Sequence, residues 1–428
     1  MTMLRRVLIS LCSLVAAAAS AAAQTNERIY ESLNFRFVTP GARAVGMGHT
    51  FVGLADDATS ASSNPAGLSN LLEPEFSIEF NLTQIRHERF MPGDEAGTRT
   101  FGDTVLTPSF FSFAVPVKRA TILVFRNTIQ HHNERFEIPP RLIPSLGLHE
   151  DGAFGTIAAR AENYGIGGAF VVSRHLSVGA SLVLTTLDIA TDGRSGDPLQ
   201  PRNGTTTIDS ARDVGVTAGV LFKPRQDVSI GAAYYGGARF NLNTTLFGRF
   251  LFNGGERVLT GDERPVRYVI PDRFAVGASW RVRNALTVLA DVARVRYSRQ
   301  ITKDFLIVDF LDPGAGLTHE NFVMPDVTEL HAGVEYRWYG RGRATALRAG
   351  VFTDPDHQMR FRSGANDPNH VADAMLAFRF NSLESRTAVG FTTGGGIAFG
   401  NQVQIDAAVS VARTGRQAVL STVIRLPK

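Results

Sequence analysis

Glu329-Leu330-His331-Ala332-Gly333-Val334-Glu335-Tyr336-Arg337-Trp338 decides the fold. In an extended chain Leu330, Ala332, Val334, Tyr336 and Trp338 fall on one face, and Glu329, His331, Gly333, Glu335 and Arg337 on the other, because successive side chains of a strand alternate in direction. One face suits lipid and the other suits water. The same split recurs at Arg273–Arg281, where Phe274, Val276, Ala278 and Trp280 oppose Arg273, Ala275, Gly277, Ser279 and Arg281. It recurs near the start, with Phe76, Ile78, Phe80 and Leu82 against Glu75, Ser77, Glu79 and Asn81, and again in Leu176–Leu184 and Val214–Phe222. Repetition of period two over most of a chain is the signature of an all-β protein.

Outward from these runs, the connections alternate in length. Short turns fall near Val117–Arg119, Ser173–His175, Lys223–Gln226, Val282–Asn284, Tyr339–Arg343 and Gly400–Asn401. Longer connections are expected at 91–104, 135–153, 191–207, 241–268, 299–326 and 355–383; only the last hairpin, near Thr414-Gly415, departs from the rule. The pattern predicts a transmembrane antiparallel β-barrel of about fourteen strands over residues 74–428, with tight turns at the periplasmic end and loops outside. Trp280, Tyr336 and Trp338 then stand beside periplasmic turns, where an aromatic girdle is expected.

Residues 1–23 read as a signal peptide, with Arg5 and Arg6 before the apolar run Val7–Ala18 and a small-residue cleavage site at Ala21-Ala22-Ala23. They predict export, and with the barrel they place the protein in the bacterial outer membrane. The single cysteine, Cys12, leaves with this leader, so the mature chain has no disulfide. Of 44 basic and 40 acidic residues, Arg5 and Arg6 are lost with the leader, which leaves charge nearly balanced and gives no basic footprint for nucleic acid. Mean hydropathy is near zero, and no apolar run after Ala23 approaches the ~20 residues of a spanning helix.

Residues 24–73 break the hairpin pattern. They hold Pro40-Gly41-Ala42-Arg43-Ala44-Val45-Gly46-Met47-Gly48 and then Ala55-Asp56-Asp57-Ala58, followed by Ser62-Ser63-Asn64-Pro65-Ala66-Gly67. Gly41, Gly46 and Gly48 permit close backbone approach. Asp56 or Asp57 is placed to cap a short helix, and Asn64-Pro65 to end it. Such a small-residue segment is suited to fold inside a lumen. This motif set resembles the FadL-like outer-membrane transporters of hydrophobic compounds, with PorV-like barrels as relatives, and the resemblance extends through the hairpins over most of the mature chain. The sequence departs from the family in lacking bulky aromatics before Asn64 and in ending Ile424-Arg425-Leu426-Pro427-Lys428 rather than in an aromatic residue.

The resemblance implies a fourteen-stranded barrel filled by an N-terminal hatch, with Gly41, Gly46, Gly48, Asp56, Asp57, Asn64, Pro65, Ala66 and Gly67 as hatch residues. It implies passive uptake of hydrophobic molecules, fatty acids or hydrocarbons, that leave sideways through the wall. It further implies a monomer without cofactor or metal, whose partners are outer-membrane lipids, the ligand and the assembly machinery. The PorV-like alternative is protein export or cargo binding at the cell surface.

Phe110, Leu123, Phe125 and Leu289 are candidate ligand-lining positions, although burial against the hatch explains them equally. Glu329, His331, Glu335 and Arg337 form a candidate polar cluster, with a hydrogen-bonded lumen wall as the plainer reading. Gly165-Ile166-Gly167-Gly168 opens no helix and is not a nucleotide loop. His131-His132, near Asn133 and Glu134, has no accompanying nucleophile motif, so an enzyme is not indicated.

Overall fold

The computed structural model describes residues 30, 35, 37, 39–90, 98–143, 148–150, 152–197, 199–252, 255–303, 319–340, 342–362, 377, 380, 381 and 385–427. The leader lies outside the described residues. Fourteen antiparallel strands close into a barrel. They are β1 Glu75–Phe90, β2 Thr98–Val117, β3 Ala120–Ile138, β4 Ala153–Ser173, β5 Leu176–Asp197 and β6 Gln200–Arg225. Then β7 runs through Val228–Tyr235 and Ala238–Phe252, and β8 through Gly255–Ile270 and Arg273–Arg283. The remainder are β9 Leu286–Val295, β10 Val327–Gly340, β11 Arg343–Asp354, β12 Ala388–Phe399, β13 Val403–Ala412 and β14 Gly415–Arg425. Neighbours in sequence pair in space, and β1 pairs with β14 to close the ring.

The period-two pattern is what turns the wall inside out relative to a soluble protein. Phe80, Ile122, Val124, Ile166, Leu182, Val220, Phe274, Val276, Leu330 and Leu420 are exposed on the outer face, while Ser77, Glu79, Ser112, Thr121, Ser181, Thr185, Asp291, Glu335 and Asp406 are buried inside. An apolar exterior around a polar interior is the arrangement of a membrane-spanning barrel, in which every backbone group is satisfied within the wall. Trp280, Tyr336, Trp338 and Tyr339 are exposed near the short-turn end, where the girdle was expected.

Four of the expected long connections are mostly strand. β1 and β2 persist to Phe90 and Thr98, β3 reaches Ile138, β5 and β6 meet across Asp197 and Gln200, and β7 and β8 across Phe252 and Gly255. On β5 and β6 the outward positions there include Asp192, Arg194 and Thr206. Once a strand rises out of lipid both faces meet water, so the apolar alternation stops although the ladder continues.

The segment before β1 packs against the inward-facing side of the wall through helix α1 Ala42–Gly46, helix α2 Ser60–Ser63 and a 3₁₀ turn Pro65–Asn70. Its apolar residues join wall residues in separate clusters: Ala58, Ala61, Leu68 and Leu71 with Phe110, Leu123 and Phe125, and Ala44, Met47 and Phe51 with Leu289. Toward the loop end the lumen becomes apolar, with Tyr30 and Phe35 packed among Leu187, Phe240, Leu242, Tyr268, Val295 and Tyr297.

Candidate functional site

The hatch segment has few side chains of its own to offer, so its backbone makes the contacts. Wall carboxylates and hydroxyls accept its amides: Glu79 from Gly41, Ser421 from Ala42 at 3.2 Å, Thr392 from Gly48 at 2.8 Å, and Glu75 from Ala58 at 2.7 Å. Asp291 takes both Phe51 and Val52, at 2.7 and 3.0 Å. Buried amides left without such partners would cost ~1–3 kcal/mol each.

This close seating depends on glycines in the wall. A Cβ at Gly179 would lie 2.3 Å from the Pro65 carbonyl carbon, at Gly231 2.0 Å from the Val52 oxygen, at Gly333 2.2 Å from the Met47 oxygen and at Gly350 2.1 Å from the Gly48 nitrogen. Gly179 pairs with Gly219, Gly231 with Gly277, and Gly333 with Gly350, so these positions form an inner belt across neighbouring strands. Gly48 itself has φ +72°, a conformation that favours glycine.

Asn64 is fully buried, and its amide donates to Val52 O at 2.9 Å and to Val220 O of β6 at 3.0 Å, while its oxygen accepts from Ala66 N at 3.2 Å. Pro65 occupies the first turn of the 3₁₀ segment, so it starts that turn, and α2 already ends at Ser63. Neither aspartate caps α2, whose N-cap is Thr59 without a side-chain cap; Asp57 accepts from Thr59 N at 2.9 Å in the turn before it, and Asp56 binds Arg43. Gly67 lies against Ala55, with no room for a Cβ. Asn64→Ala is expected to loosen the segment by ~2 kcal/mol, since one buried side chain serves three backbone groups. Ion leak through purified protein in planar bilayers checks this, and wild-type leak together with wild-type uptake would count against it.

A second anchor is ionic. Arg43 Nε lies 2.9 Å from Glu335 Oε2 and its Nη1 2.6 Å from Asp56 Oδ1. Glu335, with no exposed surface, also receives Arg348 Nε at 2.9 Å and Arg337 Nε at 3.1 Å, and Arg348 continues to Asp406 at 2.7 Å. Burial opposes the Arg43 charge, and Asp56 and Glu335 outweigh it, holding the guanidinium well above its usual range. The expected cluster on β10 is therefore divided. Glu335 and Arg337 belong to this anchor, whereas Glu329 and His331 border a cavity further along the strand.

That cavity, about 190 Å³, lies between the hatch residue His49 and an interruption in the wall. The β2–β3 ladder runs only from Val117–Ala120 to Phe110–Asn127. Beyond it β2 stays paired with β1 and β3 with β4, but not with each other. The break has local causes. Pro108 has no amide to donate and sits beside a register shift at Glu79/Phe80, and β3 shifts register at Thr128/Gln130. Side chains span the opening: Thr107 Oγ1 meets His131 Nδ1 at 2.7 Å, Asp103 accepts from Asn133 N, and Arg126 donates to Pro108 O. His132 Nε2 lies 3.2 Å from Glu134, so both histidines stand at the edge of this gap.

The cavity is lined by Phe37, Ile85, Val105, Ile129 and Phe352 together with His49, Thr107, His131, Glu329 and His331. His331 Nδ1 meets Gly48 O at 2.9 Å, and His49 Nε2 meets Ser410 Oγ at 3.3 Å. Burial, then the neighbouring His331 and Arg273, lowers the His49 pKa to about 3, so this ring is neutral. Phe37 and Ile129 also pack against the apolar cluster toward the loop end, so apolar contacts run from that end to the cavity beside the gap. Phe110, Leu123, Phe125 and Leu289 are not part of its lining; they contact hatch residues instead. Sequence reading missed Arg43, His49, Asp291, Arg348 and Asp406. Their signal was charge on the inward face of strands, or in Arg43 a lone arginine among small residues.

A hatch-filled membrane-spanning barrel with an interrupted wall defines the class. No family model matches the chain, and no curated protein matches it by sequence. Among solved structures, a Pseudomonas aeruginosa FadL homologue is similar with a TM-score of 0.63 and 14% identity, covering 91% of this chain and 98% of that one. The Pseudomonas putida toluene transporter TodX gives 0.59 and 13%, covering 92% and 100%. The Ralstonia pickettii toluene transporter TbuX gives 0.56 and 18%, with the same coverage. At these identities the likeness is one of fold, and the chain has the FadL-like barrel fold.

Proposed function

We propose that this protein is a bacterial outer-membrane channel for passive uptake of hydrophobic small molecules, fatty acids or hydrocarbons, and not an enzyme. The observation that carries the reading is the partly apolar cavity lying against the β2–β3 interruption. A hydrophobic molecule in that cavity needs no water-filled pore. It can move into lipid through an opening where backbone rungs are replaced by side chains, which rotate far more readily than a ladder unzips. The path is consistent with fold relatives whose names describe toluene transport, and concave sites with few polar groups suit such ligands. The hatch, 24–73, closes the lumen to water and ions.

The mature chain is free of cysteine once the leader is cut, so the gap can be closed on demand. In a Thr107→Cys/His131→Cys variant, bridged by a short bifunctional thiol reagent, uptake of a labelled monoaromatic hydrocarbon or long-chain fatty acid is expected to fall to that of cells lacking the protein. Reversal with reductant should restore it if the bridge is a disulfide-forming reagent. Full uptake through the bridged barrel would rule out this route, and no uptake by folded wild-type protein would favour the export role.

A further inference from the structure

A second interruption lies on another side of the barrel. The β6–β7 ladder ends at Thr217–Tyr235 and resumes only at Thr206–Thr245. Between them two carboxylates of β6 reach across to amides of β7. Asp213 accepts from Arg239 N at 2.8 Å and Asp209 from Asn243 N at 2.8 Å. Each also accepts from the amide after itself, Val214 and Ser210, at 2.8 Å. Two side-chain latches thus stand where backbone rungs would otherwise run.

The upper hairpin beside this seam, Ala238–Ile270, is set off from the wall below at one level on both of its strands. β7 breaks at Gly236-Gly237 and β8 at Pro271-Asp272. Gly237 N donates to Asp272 Oδ1 at 3.0 Å, and a Cβ on Gly237 would lie 2.1 Å from Ile270 O, so the two breaks form one hinge. At the other edge of the hairpin the contacts given are from side chains: Val269 N donates to Tyr30 Oη at 2.9 Å, and Val269 O accepts from Gln300 Nε2 at 2.9 Å. Its inner face carries Phe240, Leu242, Val266 and Tyr268, which belong to the apolar cluster that fills the lumen toward the loop end. Tyr268 reaches Gln130, at the lining of the cavity beside the β2–β3 gap.

We propose that the hairpin of Ala238–Phe252 and Gly255–Ile270 is a hinged flap, joined to β6 above the seam by the rungs at Thr206–Thr245 to Asn203–Gly248, and that the seam below those rungs is a second lateral portal admitting hydrophobic small molecules to the apolar cluster of the lumen. The outward residues along the seam, Ser210, Arg212, Arg239, Asn241 and Asn243, are exposed and polar, while Val214 and Val216 just below are exposed and apolar. This portal therefore stands at the upper boundary of the lipid, where an apolar solute partitioning into the membrane surface first meets the barrel. From there the apolar cluster extends, through Tyr268 and Gln130, to the cavity beside the β2–β3 gap. The transport direction rests on the function proposed above; the motion of the flap does not.

Two measurements separate these points. Thr207 and Thr244, whose hydroxyls are 2.9 Å apart, are replaced in a Thr207→Cys/Thr244→Cys variant whose disulfide pins the flap to β6. Oxidation is expected to reduce uptake of a labelled monoaromatic hydrocarbon, with recovery on reduction. Independently of uptake, a Leu242→Cys thiol, buried in the apolar cluster behind the seam, should react with a membrane-soluble maleimide at least ~tenfold faster when Asp209→Ala and Asp213→Ala are added, since each charge-assisted hydrogen bond lost weighs on the opening equilibrium by about that factor. Heat-modifiable migration confirms that each variant is folded. An unchanged labelling rate overturns the flap, and unchanged uptake after oxidation overturns the portal. A wild-type protein that passes no hydrocarbon overturns the transport function while leaving the labelling result to decide the flap.

Discussion

Replacing Glu335 with alanine is expected to free the hatch from the wall and turn a sealed barrel into a leaky one. The carboxylate sits among Arg43, Arg348 and Arg337 with no exposed surface of its own. Its removal leaves Arg43 with only the Asp56 and Asp57 side, and Arg348 with Asp406. Breaking a buried ion pair by deleting one partner costs ~3–5 kcal/mol, because the remaining charge stays desolvated. The wall itself is held by its ladders, so the cost falls on the contact between hatch and wall. Single-channel recordings should show stepwise ion conductance absent from wild type. The control is Arg43→Met with Glu335→Leu, which removes both members; it should leak less than Glu335→Ala, since replacing buried ions with apolar groups is often neutral. Equal leak in the two would show that the carboxylate does not anchor the hatch.

Gly350→Leu should have a comparable effect by a steric route. The backbone of Gly350 is ordinary strand, so leucine is compatible with β11, and the added side chain points where Gly48 lies 2.1 Å from a new Cβ. The obstacle is backbone rather than a mobile side chain, which puts the cost at the upper end of the ~1–3 kcal/mol usual for overpacking. The barrel should still migrate as a folded, heat-modifiable species while proteolysis cuts the displaced 39–72 segment. Protection equal to wild type would mean that the segment can seat elsewhere. Gly340, with open space around it, is the matched control for substitution at a wall glycine.

These expectations show what was legible in the sequence. The wall strands showed in the alternation, as at Glu329–Trp338 and Arg273–Arg281, because lipid on one face and a polar lumen on the other impose it directly, while the count of fourteen was reached together with the family resemblance. Strand ends at the loop side did not show, since Asp192 and Arg194 of β5 and Thr206 of β6 are polar on their outward face and carry no apolar signal. The glycines and Asn64 of the hatch stood out as a motif, and the structure gives Asn64 contacts on both hatch and wall. Their partners did not stand out: Gly231, Gly333 and Gly350 read as ordinary lumen-facing positions until the hatch is seen against them. The division of the β10 cluster was equally invisible. Glu329 and Glu335 share a face, and only the depth of Arg43 in the barrel assigns one to the anchor and the other to the cavity. Both wall interruptions depend on register, which Pro108 hints at and which Asp209 and Asp213, as plain strand aspartates, do not.

The glycine belt has a consequence for how the molecule comes to exist. Backbone lies against backbone around much of the inner circumference, so a closed barrel offers the N-terminal segment no clearance to slide past. The segment is therefore expected to act as a mandrel on which the strands are wound, since it is synthesised ahead of them and is at hand before the ring closes. Residues 24–73 supplied as a separate peptide to an already closed 74–428 barrel should fail to seal it, whereas the same two pieces refolded together should do so.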